Sequence, residues 1–354
     1  MLLAYLQRLL RSINCVFTVF LLFLAAASSL LAAPAPTTSE PLRLVHRFKL
    51  PAEVKGRFDH FGVDLQGGRL FLAAESMHEV LVLNLETGME LHRIEGVQIP
   101  HAIVFRESGD RIYVTDGGAG AVKIFDGKSY RLLKTIKLQL DSDSVAYDQT
   151  MRYLYVVNGG EDAHQSQSFI SVIDMNKNIK TADIKLDSPH VEAMALDTSN
   201  SRLYVNDTAK NAVVVVDRGK NTVTGSWLVK LCKQNVPAAV DSTNHRLFVG
   251  CRNGEISIFD TQTGKEIQGL AIGKGADDLT YSPDNKRIYV SCGADDGSIY
   301  VFQQKSADQY ELLGHVMTGP GARNSRYIAS LHELYVSVPA HGDTPAEILV
   351  YRDQ

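Results

Sequence analysis

A short strand motif is repeated seven times along this chain, and this repetition constrains the fold more than any other feature. The clearest copy is residues 111–116, which read RIYVTD. Successive copies are separated by 42, 42, 49, 44, 41 and 46 residues. A repeat of this length that contains several short strands is typical of a β-propeller. The aromatic residue of each copy, called here the marker aromatic, is Phe71, Tyr113, Tyr155, Tyr204, Phe248, Tyr289 or Tyr335.

Each repeat divides into four predicted strands. In the second repeat these are residues 101–105, 111–116, 121–125 and 131–136. Glycine and aspartate separate them, as in residues 116–120, because tight turns need positive φ angles or side chains that cap the backbone. The pattern therefore predicts seven four-stranded antiparallel blades with their marker aromatics in the core.

The two ends of the array predict how the ring closes. The last repeat has predicted strands at 327–331, 334–338 and 348–351, and the chain ends one strand short of a full blade. Residues 42–50 alternate between apolar and polar side chains and precede the first complete repeat. We predict an all-β fold, a seven-bladed β-propeller over residues 42–354, in which strand 42–50 completes the last blade.

The N-terminal segment has the composition of an export signal. Arg8 and Arg11 precede an apolar run and a stretch of small residues that ends at Ala33. Residues 1–33 are therefore predicted to be a signal peptide or, if uncleaved, a membrane anchor, and residues 34–41 a linker. Either interpretation places the propeller in the periplasm or outside the cell, with membrane contact only through an uncleaved segment.

Charge and cysteine content narrow the function. The chain has 36 Lys and Arg against 40 Asp and Glu, which argues against nucleic acid as a partner.

Beyond the signal segment the chain retains Cys232, Cys251 and Cys292, an odd number that cannot form a closed disulfide framework. We expect Cys251 and Cys292 to be free, buried residues, since they occupy equivalent positions in neighbouring repeats. No Cys-x-x-Cys-His motif for covalent haem is present.

The repeated strand resembles the YVTN family of β-propeller repeats, most closely at residues 113–116 (YVTD). The resemblance extends over residues 42–353 and implies a propeller that is exported from a bacterium or archaeon. Related propellers include quinoprotein amine dehydrogenase chains, which stack their cofactor on tryptophan, and lactonase-type enzymes. Because the only tryptophan is Trp227, predicted in an outer strand, no quinone cofactor is expected. A lactonase-type metal set would correspond to Glu192, Asn235 and Asp277.

Aligning the start of each inner strand with its marker aromatic predicts a ring of polar residues around the channel mouth. Such a ring is open to three interpretations: a hydrated channel opening, a site for a ligand or partner, or a site for a divalent metal held by imidazoles and carboxylates. Arg323 could form an ion pair or anchor an anion. The candidate ligand-binding residues are His60, His101, Asp143, His190, Asn235, Asp277 and Arg323, with Asp59, Glu192, Asp278 and Asn324 beside them.

These observations lead to one leading hypothesis and two alternatives. The first is an exported, monomeric scaffold without enzymatic activity, which binds a protein or a small polar ligand at the channel-mouth face through loops 158–168 and 339–345. The second is a metal-assisted hydrolase of the lactonase type, and the third is an accessory subunit of an exported redox system. No residue is assigned a catalytic role, and a divalent metal is the one cofactor that the ring could hold.

Overall fold

The computed structural model describes residues 40–354, which form seven four-stranded antiparallel sheets. The predicted signal segment 1–33 and nearly all of the linker 34–41 lie outside the described residues. Within residues 40–354 there is no helix with the length and apolarity needed to cross a membrane. The sequence-based prediction of a seven-bladed, all-β propeller is confirmed.

The strands follow the chain in order, and four of them make each blade. The first three blades consist of β2 (Phe61–Asp64), β3 (Arg69–Ala74), β4 (Glu79–Asn84) and β5 (Glu90–Ile94); β6 (Pro100–Arg106), β7 (Arg111–Asp116), β8 (Ala121–Asp126) and β9 (Leu132–Lys137); and β10 (Val145–Asp148), β11 (Tyr153–Gly159), β12 (Ser168–Asp174) and β13 (Ile179–Leu186). The next two consist of β14 (Val191–Asp197), β15 (Arg202–Asp207), β16 (Ala212–Asp217) and β17 (Thr222–Leu228); and β18 (Asn235–Asp241), β19 (Arg246–Cys251), β20 (Glu255–Asp260) and β21 (Glu266–Ala271). The sixth has β22 (Ala276–Ser282), β23 (Arg287–Cys292), β24 (Ser298–Ser306) and β25 (Gln309–Met317).

The seventh blade joins the two ends of the described chain. Strands β26 (Ser325–Ile328), β27 (Glu333–Val338) and β28 (Glu347–Asp353) come from the C-terminal end, and β1 (Leu42–Lys49) pairs antiparallel with β28 as its outer strand. Leu42, opposite Asp353, has no exposed surface. The predicted closure by the N-terminal strand is therefore confirmed, and it pairs the edge that β28 would otherwise expose.

The hydrophobic core consists of clusters packed between neighbouring blades. All seven marker aromatics are at most 2% exposed. Tyr113 shows how a polar tip is accommodated, because its hydroxyl donates a hydrogen bond to Oδ1 of Asn178 in the next blade. Burial of a side chain of this size contributes about 1.5–3 kcal/mol. The marker strand therefore does the same packing work in every blade, which explains why the sequence repeats it.

Two local predictions were wrong. The inner strand of the last blade was expected at residues 327–331 but ends at Ile328, because a 3₁₀ turn at Ala329–Leu331 follows and leads into the left-handed residue His332. Cys251 is buried as expected but is not free, since it forms a disulfide with Cys232. The expectation compared Cys251 with the equivalent Cys292, whereas its partner lies in the segment between β17 and β18. Cys292 is free and buried, as predicted.

Candidate functional site: an ionisable ring at the mouth of the channel

One position in every blade contributes to the mouth of the channel, and it lies twelve residues before the marker aromatic. Inner-strand residue Val104, for example, pairs with Tyr113, and His101 lies three residues before Val104. Counting in the same way in all blades gives a set called here the mouth ring. Its members are Asp59, His101, Asp143, Glu192, Val236, Asp277 and Arg323.

Three members of the mouth ring from the first three blades meet directly. Nδ1 of His101 lies 2.6 Å from Oδ2 of Asp59 and 3.8 Å from Oδ1 of Asp143. One ligand atom from each of the three side chains lies within 4.8 Å of the others. We call this group the Asp–His–Asp triad. Because each residue comes from a different blade, the triad depends on the ring being assembled.

The triad residues have strongly perturbed titration behaviour. Burial would lower the pKa of His101, but the carboxylates of Asp143 and Asp59 outweigh that effect and raise the pKa to about 10. Burial raises the pKa of Asp143 to about 7 despite the attraction of His101. For Asp59, the attraction of His60 and His101 exceeds the effect of burial, and the pKa is lowered. The triad therefore combines a charged imidazole with carboxyl groups in two different environments.

His60 lies beside the mouth ring and links blades one and six. Its Nδ1 is 3.2 Å from Oδ1 of Asp278, and its Nε2 is 3.5 Å from Oδ1 of Asp59. Burial alone would lower the pKa of His60, but the carboxylates of Asp278 and Asp59 raise it well above its usual value. The backbone N–H of Ser325 donates to the other oxygen of Asp278 at 2.8 Å. These contacts fix His60 in the channel wall next to the mouth ring.

In blade six, Asp277 is held by two arginines. Nε of Arg323 is 3.2 Å from Oδ2 of Asp277, and an Nη2 hydrogen bond from Arg252 reaches Oδ1 at 2.6 Å. Arg323 is thus an ion-pair partner, one of the two roles considered from the sequence. Burial raises the pKa of Asp277 more than the two guanidinium groups lower it. Both Arg252 and Asp277 therefore belong to a paired charge network.

His190 bridges the mouth ring and a loop. Its Nε2 is 3.0 Å from Oε1 of Glu192, and its Nδ1 is 2.6 Å from Oε1 of Glu161 in the β11–β12 loop. The hydrogen bond and charge of Glu192 outweigh burial, which alone would lower the pKa of His190. Together with Glu161 they raise this pKa to about 9. Loops between second and third strands therefore reach the mouth, as the sequence indicated for residues 158–168. Arg252, which contacts Asp277, also lies in a turn between a second and a third strand, the β19–β20 turn.

Asn235 does not join this network. It has no exposed surface, and its amide donates to Oδ1 of Asn206 and to the backbone oxygen of Ala212. Buried Val236 occupies the mouth-ring position of that blade. The structure thus brings His101 and Asp143 together, pairs Arg323 with Asp277, places His60 and His190 beside the ring, and sets Asn235 apart.

A cavity of about 950 Å³ is lined by the inner strands of all seven blades, and its lining begins at residues that follow the mouth ring, such as His60, Ala102 and Asp278. A volume of this size lies within the range of sites for small molecules. The cavity wall next to the mouth includes His60 and Asp278, and the part farther from the mouth includes Arg106 and Arg152. The fold and the site together define a class: a seven-bladed β-propeller with a ring of ionisable side chains at one end of its channel.

Comparison with known proteins supports the propeller fold. Two curated proteins, each named "Uncharacterized protein YncE" and found in Salmonella typhi and Salmonella typhimurium, are 25% identical to the chain over 199 residues. That match covers 54% of this chain and 54% of each relative, so the chain spans about half the length of the curated relatives it matches. No protein-family model matches the chain.

Solved structures resemble the chain at the level of the fold. A chain of Kuenenia stuttgartiensis hydrazine synthase superimposes with a TM-score of 0.69 and 14% identity, covering 82% of this chain and 98% of that one. A chain in the crystal structure of a mitotic checkpoint complex gives a TM-score of 0.70 and 16% identity, covering 92% and 97%. Identities this low show the shared propeller architecture alone.

Proposed function

We propose that this protein is an exported, non-enzymatic binding module of the YVTN type, which takes a small polar ligand at the channel-mouth face. The observation that carries the proposal is the mouth ring itself: six of its seven positions are ionisable, and the residues that directly follow several of them line a cavity of ligand size. A protein partner at the same face would use the neighbouring loops, and it is an alternative outcome of the test below.

Export is supported by the disulfide between Cys232 and Cys251. Disulfides of this kind persist in the periplasm and outside the cell, and they are rare in a reducing cytosol. Together with the charged and apolar pattern of the N-terminal segment, the disulfide favours a periplasmic or secreted protein. The proposed module acts as a monomer and does not bind nucleic acid.

The binding proposal is tested by screening polar metabolites for thermal stabilisation of the full chain. Hits are then measured by calorimetry with the mouth variant Glu192→Gln and with the matched control Glu86→Gln, which changes an exposed glutamate in the turn between β4 and β5. We expect binding to weaken in the mouth variant and to be unchanged in the control. The proposal fails if no compound binds, or if both variants bind as the wild type does. Capture of an envelope protein that depends on Glu192 would point to a protein partner instead.

A second candidate function, metal-assisted hydrolysis, is favoured by the Asp–His–Asp triad. Two carboxylates and one imidazole are a donor set that suits zinc, manganese or iron, and the triad atoms are close enough to share one ion. A bound ion would act as a Lewis acid toward water or an ester carbonyl. The chain itself would supply Asp59, His101 and Asp143 as ligands, with the mouth arginines oriented toward Asp277.

Metal content and lactone hydrolysis of the purified full chain test this candidate. His101→Ala should abolish metal retention, whereas His190→Ala, a variant at the mouth but outside the triad, should retain it. Equal metal content in the two variants, or none in the wild type, would remove the hydrolase hypothesis.

A further inference from the structure

A single arginine breaks a pattern among the inner-strand residues below the mouth. The inner-strand residue that pairs with the marker aromatic is small or aliphatic in five blades and threonine in a sixth. In the seventh blade it is Arg326, which pairs with Tyr335. The equivalent residues are Gly62, Val104, Ala146, Ala195, Ala239, Thr280 and Arg326. Of these, Gly62, Val104, Thr280 and Arg326 line the cavity.

Arg326 has no partner in the described chain. Its side chain is exposed to the cavity, and it forms neither a hydrogen bond nor an ion pair with any of residues 40–354. Asp278 is the charged group that acts on it, but the two oxygens of Asp278 already contact His60 and the backbone N–H of Ser325. The nearest acid is therefore committed elsewhere.

The other charged residues of the cavity wall differ from Arg326 in this respect. Arg106 donates hydrogen bonds to the backbone oxygen of Met175 and to the Tyr113 hydroxyl. Arg152 donates to side chains of the neighbouring turns, at 3.3 and 3.4 Å. Glu107 accepts a hydrogen bond from Gln66. Within the described residues, Arg326 is the one cavity-lining cation whose donors are all unused.

The guanidinium of Arg326 therefore faces the cavity with its donors free. The walls of the channel remove part of its hydration, and this burial lowers the pKa of Arg326 in spite of Asp278. A guanidinium presents its donors in a planar fork that matches the two oxygens of a carboxylate or phosphate group. Thr280, in the equivalent position of the adjacent blade, adds a hydroxyl that makes no hydrogen bond within residues 40–354.

We propose that Arg326 and the Thr280 hydroxyl form an oxyanion-binding site within the channel, and that the ligand is a small molecule bearing a carboxylate or phosphate group. This proposal rests on the proposed binding function, since it names the chemistry of the molecule that enters through the mouth. Most charges of the mouth ring already have a partner, whereas Arg326 supplies the unpaired positive charge that anchors the anionic end.

The test is calorimetric titration of the full chain with inorganic phosphate and, separately, with acetate, at constant ionic strength. We expect saturable binding of at least one of them. Arg326→Gln should weaken it about tenfold or more, because hydrogen bonds to a charged group are lost. Arg326→Lys and Thr280→Val should each cause a smaller loss. The matched control is Arg43→Gln, which removes an exposed arginine on β1.

The outcomes separate the ligand classes and the two proposals. Binding of phosphate without acetate assigns the site to phosphate-bearing ligands, and the reverse assigns it to carboxylates. The site is refuted if the wild type binds neither anion, or if Arg326→Gln binds both as well as the wild type does and retains its circular dichroism spectrum. Both probes are small enough to reach Arg326 without engaging the mouth. If anion binding depends on Arg326 but binding of no screened compound depends on Glu192, this site is therefore supported and the mouth proposal is refuted.

Discussion

The side chains of Cys232 and Cys251 are joined by a disulfide that ties the segment after blade four to the end of a strand in blade five. The bonded residues are 19 positions apart. Closing a loop of this length in the unfolded chain is worth about 3 kcal/mol. The bond thus stabilises the junction at which the chain passes from one blade to the next.

Removing this disulfide is the first prediction. The double variant Cys232→Ser/Cys251→Ser should lose about 3 kcal/mol of unfolding free energy, because its unfolded chain is less restricted. Urea unfolding measures the change, and reductant should lower the wild-type midpoint while leaving the double variant unchanged. Alkylation and peptide mapping of the denatured, unreduced protein should label Cys292 and neither Cys232 nor Cys251. Labelling of Cys232 or Cys251 would contradict the pairing.

Closure of the ring gives the second prediction. Leu42 on β1 is fully buried, whereas Leu44 on the same strand is 37% exposed. Leu42→Ala should lower the unfolding free energy by about 2–5 kcal/mol, because it leaves a cavity between blades six and seven. Leu44→Ala is the matched control and should change it by less than about 1 kcal/mol. Equal effects at the two positions would show that β1 does not close the ring as described.

The fold could be predicted from the sequence more completely than the site. The propeller follows from a repeated strand, since its marker aromatics pack in the same way in every blade. The mouth ring also has a constant spacing of twelve residues, but alignment by strand starts selected His60, His190 and Asn235 at spacings of 11, 14 and 13. Bulges early in several inner strands, such as those in β14 and β18, make strand starts a poor reference.

Other site residues carried no such signal. Arg252 and Glu161 reach the mouth from turns between second and third strands, and their partners lie 25 and 29 residues away in the chain. Only the assembled ring brings these charges together, so a pattern along one strand cannot reveal them. Arg326 is different, because counting nine residues back from each marker aromatic exposes it as the one charged residue in its ring.

The third prediction concerns Asp116, the acidic residue of the YVTD strand end. Its buried carboxylate accepts hydrogen bonds from the backbone of Gln98 and Ile99 at 2.9 and 3.0 Å and from Lys123 at 2.6 Å. Burial alone would raise the pKa of Asp116, but Lys123 and the backbone N–H groups outweigh it, and the pKa is lowered. The stabilisation is therefore present above the unfolded pKa and is lost as the pH falls through the folded value.

Asp116→Ala should cost about 3 kcal/mol of unfolding free energy at pH 7, because it leaves several buried donors unsatisfied. The difference from the wild type should shrink as the pH is lowered below 3.8. Chemical unfolding across this range measures it. Asp126→Ala serves as the control in the same blade, since Asp126 caps a solvent-exposed turn and should have a smaller effect. A loss that does not depend on pH would refute the electrostatic explanation.

The fourth prediction is the pH dependence of the His190 bridge. Its contacts with Glu192 and Glu161 raise the pKa of His190 to about 9, above an unfolded value of 6.5. A raised histidine pKa stabilises the fold fully below pH 6.5, and this contribution disappears as the pH rises toward 9. His190→Gln should therefore lower the unfolding free energy by about 2 kcal/mol at pH 6, after allowance for solvent screening, and leave it nearly unchanged at pH 10. His341→Gln, which alters an exposed loop residue, should follow the wild type throughout. If His190→Gln and the wild type differed by the same amount at pH 6 and pH 10, the charged bridge between the β11–β12 loop and the mouth ring would be ruled out.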